Sequence, residues 1–242
     1  MDQGTVVNQA EVVGPAFMSS YHQVLRNDLE HVLTPLAHRG QLAEFAEAWR
    51  DYRTAASVHT AMEEGLESSG GGGIDLLNHW YEASANAPLS MSFLEEHGQE
   101  EEAQRLVTVA LAQGHNDLLR ALSAYRQVAE AHMDHEEEVL LPLVEQLPPP
   151  SASLFSRWCL TAGAASYGFE HFVAHGVTSF ATLGSQGSSP ERAIAEFLHS
   201  LQSGCSEAQW ALIHATARAA AYGPIWSSVM AEMSVLQGVG PV

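Results

Sequence analysis

The sequence predicts an all-α protein, with an up-down-up-down four-helix bundle over residues 1–150 and a helical extension over residues 151–242 that packs on it. Three observations indicate this fold class. Residues that favour helices, such as Ala, Leu, Glu and Gln, dominate the chain. Alternating runs of Val, Ile and Tyr, which are typical of strands, are missing. Long helical stretches joined by short turns place successive helices antiparallel.

The first hairpin of the bundle is predicted over roughly the first quarter of the chain. Its first helix covers about residues 16–38 and ends at Gly40. Its second helix covers about residues 41–67, where aromatic side chains recur at helical spacing. The glycine-rich run 68–73 stops this helix and predicts a loop, which a short amphipathic helix over residues 76–81 follows.

The second hairpin consists of the third and fourth helices. The third is predicted to begin near Ser92 and to end at Gly114, and the fourth continues from there to about Glu145. Pro142 lies late in the fourth helix and is expected to kink or end it, because proline lacks the N–H that an interior position donates. The three prolines at 148–150 then close the bundle.

The extension is predicted to contain two or three helices, with a break at residues 184–190 and another at Gly223. We expect three tryptophans to pack it onto the bundle, namely Trp158, Trp210 and Trp226. The alternative role of the extension is to shape a substrate pocket over one end of the bundle.

The composition excludes several classes of partner. With 29 acidic and 10 basic residues, the formal charge of −19 repels nucleic-acid backbones and anionic lipid, so neither is an expected partner. Neither a signal peptide nor an apolar run long enough to span a bilayer is visible. Cys159 and Cys205 have no metal-site spacing and suit a reducing cytosol, with a disulfide between them left open. A cytoplasmic protein is expected, and its 13 histidines are the first indication of metal chemistry.

Two helices each carry a histidine four residues before a glutamate: His59 and Glu63 on the second, His132 and Glu136 on the fourth. Positions i and i+4 lie on one helix face, ~6 Å apart at Cβ, so both side chains can reach one metal ion or two neighbouring ions. Charged helix faces produce one such pair by chance. A second pair in the same bundle favours metal ligation.

A further histidine lies at the height of each pair. His22 lies 18 residues before the turn at Gly40, and His59 lies 19 residues after it. Residues equidistant from the turn of an antiparallel hairpin lie side by side, because every helical residue adds the same rise. The first hairpin therefore predicts two histidines at one level, with the glutamate one turn further on.

The second hairpin repeats this pattern. His97 lies 17 residues before Gly114, and His132 lies 18 residues after it. Corresponding residues of the two hairpins are separated by 75 positions for the first histidines and by 73 for the second histidines and for the glutamates. The spacing predicts a pseudo-two-fold repeat of a metal half-site. His79 is the alternative to His97.

The same geometry excludes other histidines. His115 and His132 are 17 residues apart on one predicted helix, which separates them by ~25 Å. His31 and His38 lie roughly 13 Å or more along the first helix from His22. We therefore expect none of these three to be a ligand.

Four imidazoles and two carboxylates are too many ligands for one tetrahedral ion and suit two metal ions. Mixed nitrogen and oxygen ligation favours iron or manganese over metals that seek thiolates. Six protein ligands also leave coordination positions open for an exogenous species. The predicted chemistry is the binding or activation of an oxygen species.

At these residues the chain resembles the hemerythrin-like, or HHE cation-binding, family. The segment EAHMDHEEEVLLP at 130–142 resembles the fourth-helix motif of the family, and VHTAMEE at 58–64 resembles its second-helix motif. The segments around His22 and His97 resemble its single-histidine motifs, and the resemblance covers about residues 16–147.

The resemblance implies a non-haem diiron centre, with two iron ions or a manganese–iron pair, held by His22, His59, Glu63, His97, His132 and Glu136. Members of the family bind oxygen, sense redox state, handle peroxide or nitric oxide, or oxidise small substrates. The helical extension and the smaller ligand set than in oxygen carriers favour an oxidoreductase that uses O2 or peroxide to oxidise a small molecule or to remove the peroxide. The alternative is a non-catalytic sensor or carrier for O2, nitric oxide or iron. Classical oxygen carriers have a histidine four residues after the third-helix ligand, and here that position is Glu101, which disfavours a reversible carrier.

Other candidates have simpler interpretations. His135 and Glu64 adjoin ligand positions but lie ~100° off the ligand face, so we expect supporting or surface roles. A core role is preferred over hydrogen bonding to bound oxygen for three tyrosines, namely Tyr21, Tyr52 and Tyr125. His171 and His175 have i, i+4 spacing, but no partner cluster accompanies them.

Overall fold

The structure, a computed structural model, describes residues 14–65, 90–147, 149–183, 188–202, 204–221 and 223–238. Within these ranges nine helices follow one another. The first, α1, consists of an α-helix Gly14–Asn27, a π-helical stretch Asp28–Leu33 and a final α-helical piece Thr34–His38. The other bundle helices are α2 (Leu42–Glu64), α3 (Ser90–Gln113) and α4 (His115–Glu145). The predicted glycine-rich loop, the short helix over 76–81 and His79 lie outside the described residues.

Two glycines make the tight turns of the hairpins. Gly40 has a φ of 67° and Gly114 a φ of 128°, values that glycine adopts without the steric cost that a Cβ would add. The amide of Gly40 donates to the carbonyl of Ala37 at 3.0 Å, which closes the end of α1. Both predicted turn positions are confirmed.

The bundle core is built from apolar side chains that recur on the inner face of each helix. α3 packs along α4, α1 packs on α4, and α2 closes the bundle against α1 and α3. Away from the turns, Tyr52 and Tyr125 are fully buried and share a hydrogen bond of 2.8 Å between their hydroxyls. The prediction of an all-α four-helix bundle with a helical extension is confirmed.

The π-helical stretch in α1 was not predicted. A wider turn of this kind interrupts a helix where the i to i−4 ladder is disturbed. Pro35 follows the stretch, lacks an N–H, and would crowd the carbonyl of His31 in a regular α-helix. The prediction that α4 ends near Pro142 is confirmed, since the helix contains this proline and ends three residues later at Glu145.

The prediction of two or three extension helices was wrong. The structure has five in the described residues: α5 (Pro149–Ala165), α6 (Phe169–Leu183), α7 (Pro190–Gln202), α8 (Glu207–Ala220) and α9 (Gly223–Leu236). Gly168, with a φ of 99°, separates α5 from α6. Ser206 begins α8 with a capping box that it forms with Gln209, a signal that the sequence contains.

The extension covers the α1–α2 face of the bundle. α5 and α6 pack on α2, and α6 and α7 pack on α1. The closest aromatic contact is the stacking of Phe172 on Tyr21, with ring centroids 3.9 Å apart. Trp210 and Trp226 both lie against His214 of the extension. The role predicted for them and for Trp158, packing of the extension onto the bundle, stays a prediction. The division of the chain into two domains at residue 150 stays a prediction.

Two smaller questions are also answered by the structure. Cys159 and Cys205 do not form a disulfide. Among the helices that the structure describes, none is both long enough and apolar enough to span a bilayer.

Candidate metal centre

Side chains from all four bundle helices meet in the bundle interior. They are the six residues that the sequence predicted, and none is more than 7% exposed: His22 of α1, His59 and Glu63 of α2, His97 of α3, and His132 and Glu136 of α4. Their backbones belong to regular helices, so the i, i+4 spacing places each glutamate one turn from its histidine. The helical register predicted from the two turns is the one observed.

One cluster, here called the α1–α2 half-site, consists of His22, His59, Glu63 and Glu136, whose ligand atoms lie within 4.8 Å of one another. The two imidazole Nε2 atoms are 3.0 Å apart. His22 Nε2 lies 3.2 Å from Glu136 Oε2, and His59 Nε2 lies 3.2 Å from Glu63 Oε1. Two nitrogens and two oxygens therefore converge on one point.

The second cluster, the α3–α4 half-site, consists of His97, His132 and the same two glutamates. His97 Nε2 lies 3.3 Å from Glu63 Oε2, and His132 Nε2 lies 3.4 Å from Glu136 Oε1. Each carboxylate thus directs one oxygen at each half-site. Glu63 and Glu136 could therefore each offer one oxygen to an ion in either half-site.

The hydrogen bonding of the cluster tests whether it suits a metal. Among the described residues, both oxygens of Glu63 and both oxygens of Glu136 lack a hydrogen-bond partner. His97 Nε2 lacks one as well. The imidazole–carboxylate contacts above are close but are not aligned as hydrogen bonds. A buried carboxylate without partners is costly, and a bound cation removes that cost. The donor set therefore fits metal ions.

Carboxylates outside the cluster hold three of the four imidazoles in orientation. The Nδ1–H of His22 donates to Glu137 at 2.9 Å, that of His97 to Glu64 at 2.6 Å, and that of His132 to Glu96 at 3.0 Å. A carboxylate at Nδ1 fixes the tautomer and leaves the Nε2 lone pair for a metal.

Sequence reasoning predicted a supporting role for Glu64 and missed Glu96 and Glu137. Both missed residues lie directly beside a predicted ligand in the chain, which is the one signal that could have found them. His135 has the expected supporting position, because its Nδ1–H donates to Glu96 at 2.8 Å and its ring stacks on Phe93.

Burial and charge shift the protonation of the cluster in opposite directions. Burial lowers the pKa of His22, but the adjacent carboxylates of Glu136 and Glu137 outweigh it and raise this pKa to about 9. Burial likewise lowers the pKa of His97, and Glu63 and Glu64 raise it to about 11. In the metal-free protein these two histidines thus carry protons that a metal ion would displace.

The remaining cluster residues complete this picture. Burial raises the pKa of Glu136, but His22, 3.2 Å away, and the other surrounding imidazoles lower it to about 2. Burial and the neighbouring charge of Glu136 raise the pKa of Glu63. Burial and the charge of His22 lower the pKa of His59, which therefore stays neutral and ready to bind a metal.

The histidines that were predicted not to be ligands lie elsewhere. His115 begins α4 and donates from Nε2 to the carbonyl of Ala37 at 2.7 Å, and His31 and His38 are exposed. His175 forms an ion pair with Asp28 at 2.7 Å, with its other ring nitrogen 3.4 Å from the Tyr21 hydroxyl. Within the described ranges, groups of His, Cys, Asp and Glu that are close enough together to hold a metal ion occur only at the two half-sites.

The predicted tyrosines are core residues. Tyr125 donates its hydroxyl to Glu100 at 2.8 Å and pairs with Tyr52, two helical turns from the histidines. The ring of Tyr21 lies 5.6 Å from that of His59. A core role, preferred from the sequence, agrees with the full burial of all three rings.

Two hollows connect the cluster to the surface. A groove of about 670 Å³ runs between α2 and α3 and reaches Glu64 and His97. A second hollow of about 500 Å³ lies between α3 and α4 and reaches Glu96 and His132. The described residues that line these two hollows belong to α2, α3 and α4 and not to the extension. The alternative role of the extension, to shape a substrate pocket, stays a prediction.

Comparison with known proteins agrees with this geometry. The family model of the hemerythrin HHE cation-binding domain matches residues 13–144, a span that contains all six cluster residues. Searches of curated proteins and of solved structures gave no match. The family and the His/Glu clusters together fit metal binding. Because the matched span exceeds half of the 242-residue chain, the protein belongs to the hemerythrin HHE cation-binding family.

Proposed function

We propose that the protein is a non-haem diiron oxidoreductase that takes up O2 or peroxide and either oxidises a small molecule or consumes the peroxide. One observation carries the proposal: two half-sites, each with two imidazole nitrogens, share two buried carboxylates, and each carboxylate directs one oxygen at each half-site. We propose as ligands His22, His59, Glu63, His97, His132 and Glu136.

The donor set supports iron as the metal. Imidazole and carboxylate ligands suit iron, and a manganese–iron pair would use the same donors. Thiolates, which would favour zinc or copper, take no part, since Cys159 and Cys205 belong to neither half-site. Bound iron would supply the change of oxidation state that the side chains themselves lack.

The charge of the cluster supports uptake of an oxygen species. Among the direct ligands, Glu63 and Glu136 carry two negative charges and neutral imidazoles carry none, against the four positive charges of two divalent ions. The carboxylates of Glu64, Glu96 and Glu137 lie beyond the imidazoles and offset part of the excess positive charge. The excess positive charge lies where no side chain is more than 7% exposed, so it is weakly screened. Such a site favours an anionic exogenous ligand such as deprotonated peroxide.

The groove between α2 and α3 supports access by a small molecule. Its walls combine the edge of Trp49 with polar side chains, including Arg53 and Gln104, and its inner end lies at His97. A groove of about 670 Å³ matches the size of ordinary small-molecule sites. We therefore propose it as the route by which peroxide and a reducing substrate reach the metal ligands.

Repeated turnover is the test of this function. Iron-loaded protein is mixed with hydrogen peroxide and ascorbate, and the peroxide consumed per chain is counted. We expect many equivalents for the wild type and for Glu138→Gln, whose side chain is exposed. We expect none above background for Glu136→Gln, which makes the same chemical change at the shared ligand. A single oxidation event without turnover, with every donor tried, would refute the enzyme and favour a sensor or carrier.

A further inference from the structure

We infer that the two half-sites are inequivalent, and that the α3–α4 half-site fills first and binds its ion more tightly than the α1–α2 half-site. The inference rests on the proposed function, because it assumes that both half-sites take an ion. The difference between the half-sites comes from the groups that contact Nδ1 of each imidazole, the ring nitrogen that faces away from the cluster. The ligands themselves are the same in kind and number.

Both imidazoles of the α3–α4 half-site have a carboxylate of their own. His97 donates to Glu64 at 2.6 Å, and His132 donates to one oxygen of Glu96 at 3.0 Å, while His135 contacts the other oxygen. A carboxylate at Nδ1 increases the basicity of the imidazole and so strengthens its bond to a cation. Two negatively charged carboxylates thus support the imidazoles of this half-site.

The α1–α2 half-site has much weaker support. His22 donates to Glu137 Oε1 at 2.9 Å, but the same oxygen accepts a hydrogen bond of 2.6 Å from Arg26. The guanidinium offsets the charge of that carboxylate. The Nδ1 of His59 is buried and has no hydrogen-bond partner in the part of the chain that the structure describes. The ring of Tyr21, which stacks on Phe172 of the extension, lies 5.6 Å from the ring of His59.

The difference in support for the imidazoles allows the ratio of the two metal dissociation constants to be estimated. Loss of one group that supports a ligand typically costs ~10- to 100-fold in metal affinity. Because His59 has no such group among the described residues, we expect the two dissociation constants to differ by at least ~10-fold. The partial neutralisation of Glu137 by Arg26 increases the difference.

Access to solvent favours the same order of filling. Both hollows that reach the cluster end at residues of the α3–α4 half-site or at their supporting carboxylates. The α1–α2 half-site lies on the side where Tyr21 and Phe172 pack the extension against the bundle. An incoming ion therefore meets the more basic half-site first.

Anaerobic calorimetric titration of the metal-free, full-length protein with Fe²⁺ tests the inference. We expect two separate binding steps, each of one ion per chain, with affinities at least ~10-fold apart. Glu64→Gln and Glu96→Gln should weaken the first step by ~10- to 100-fold. Glu137→Gln should weaken only the second. Glu138→Gln, an exposed control on the same helix, should change neither.

The variants are chosen to remain folded. The supporting glutamates are 26 to 32% exposed, and glutamine keeps their shape and one acceptor oxygen while it removes the charge. Circular dichroism of each variant checks this. Two equal steps, or a first step that responds to Glu137→Gln and not to Glu64→Gln, would overturn the inference and leave the proposed function standing. Absence of binding by the wild type would overturn both.

Discussion

Gly98 lies within α3 at the wall of the α2–α3 groove, next to His97 in the chain. A Cβ added to it would meet no atom within 4 Å, so the position has open space. Glycine inside a helix costs ~1 kcal/mol relative to alanine, and leucine has nearly the helix propensity of alanine. Gly98→Ala and Gly98→Leu should therefore stabilise the protein to a similar extent.

The two variants differ in what they leave of the groove. We expect each to gain about 0.5–1 kcal/mol, which for a chain of this length raises the melting temperature by ~1–4 °C. Both should bind metal like the wild type, because the substitution leaves His97 and Glu64 in place. Only the leucine side chain extends into the groove, so Gly98→Leu should react more slowly with peroxide and ascorbate.

Stopped-flow kinetics of the iron-loaded variants, with thermal unfolding alongside, measures both effects. Gly98→Ala is the matched control for the gain in stability. Equal reaction rates for the two variants would show that the groove is not the route to the metal. A lower melting temperature for Gly98→Ala would contradict the open space at this position.

Three further predictions concern the ligands, pH and packing. His97→Ala should lose metal in elemental analysis, whereas His115→Ala should retain it, because His115 only donates to the Ala37 carbonyl; the reverse would show that the helical register is wrong. The pKa values of His22 and His97 are about 9 and about 11 in the metal-free protein, so both side chains are protonated at neutral pH. Because a metal ion must displace these protons, metal affinity should rise as pH rises towards about 9. Calorimetry between pH 6 and pH 8 measures this, and an affinity that falls as pH rises would contradict it. Gly204→Ala should destabilise the fold by ~1–3 kcal/mol in urea denaturation, because its Cβ would lie 2.8 Å from the backbone carbon of Ser156; an unchanged unfolding midpoint would contradict the close packing of the 204 loop on α5.

The cluster could be predicted from the sequence because two simple geometric facts determine it. Helices add a constant rise per residue, so the distances of His22 and His59 from Gly40 were enough to place them at one level. The i, i+4 rule then placed Glu63 beside His59. The same reasoning about Gly114 placed the second hairpin, and neither step needs the details of side-chain packing.

The supporting carboxylates could not be predicted in this way. Glu96 and Glu137 lie off the ligand face of their helices and reach a histidine on another helix. Whether they do so depends on the rotation of each helix about its own axis, which packing determines. The π-helical stretch at Asp28–Leu33 contributes three buried residues to that packing, and its presence was recognised as an effect of Pro35 only from the structure.

The extension was predicted least well for a related reason. Its helices are short, and they break at single residues such as Gly168 and Ser206. One of these helices, α6, packs on α2 of the bundle and also on α7 and α8, so its buried residues do not form a single stripe. Periodicity cannot divide such a segment into helices, whereas capping residues can.

The number of iron ions that the protein holds tests the central claim most directly. Metal-free protein is loaded with Fe²⁺ under anaerobic conditions, desalted, and analysed for iron and for protein. Because the two half-sites share Glu63 and Glu136 and each adds two histidines, we predict close to two iron ions per chain. Protein that retains no iron, or that retains one ion and no more at saturation, would contradict the diiron centre.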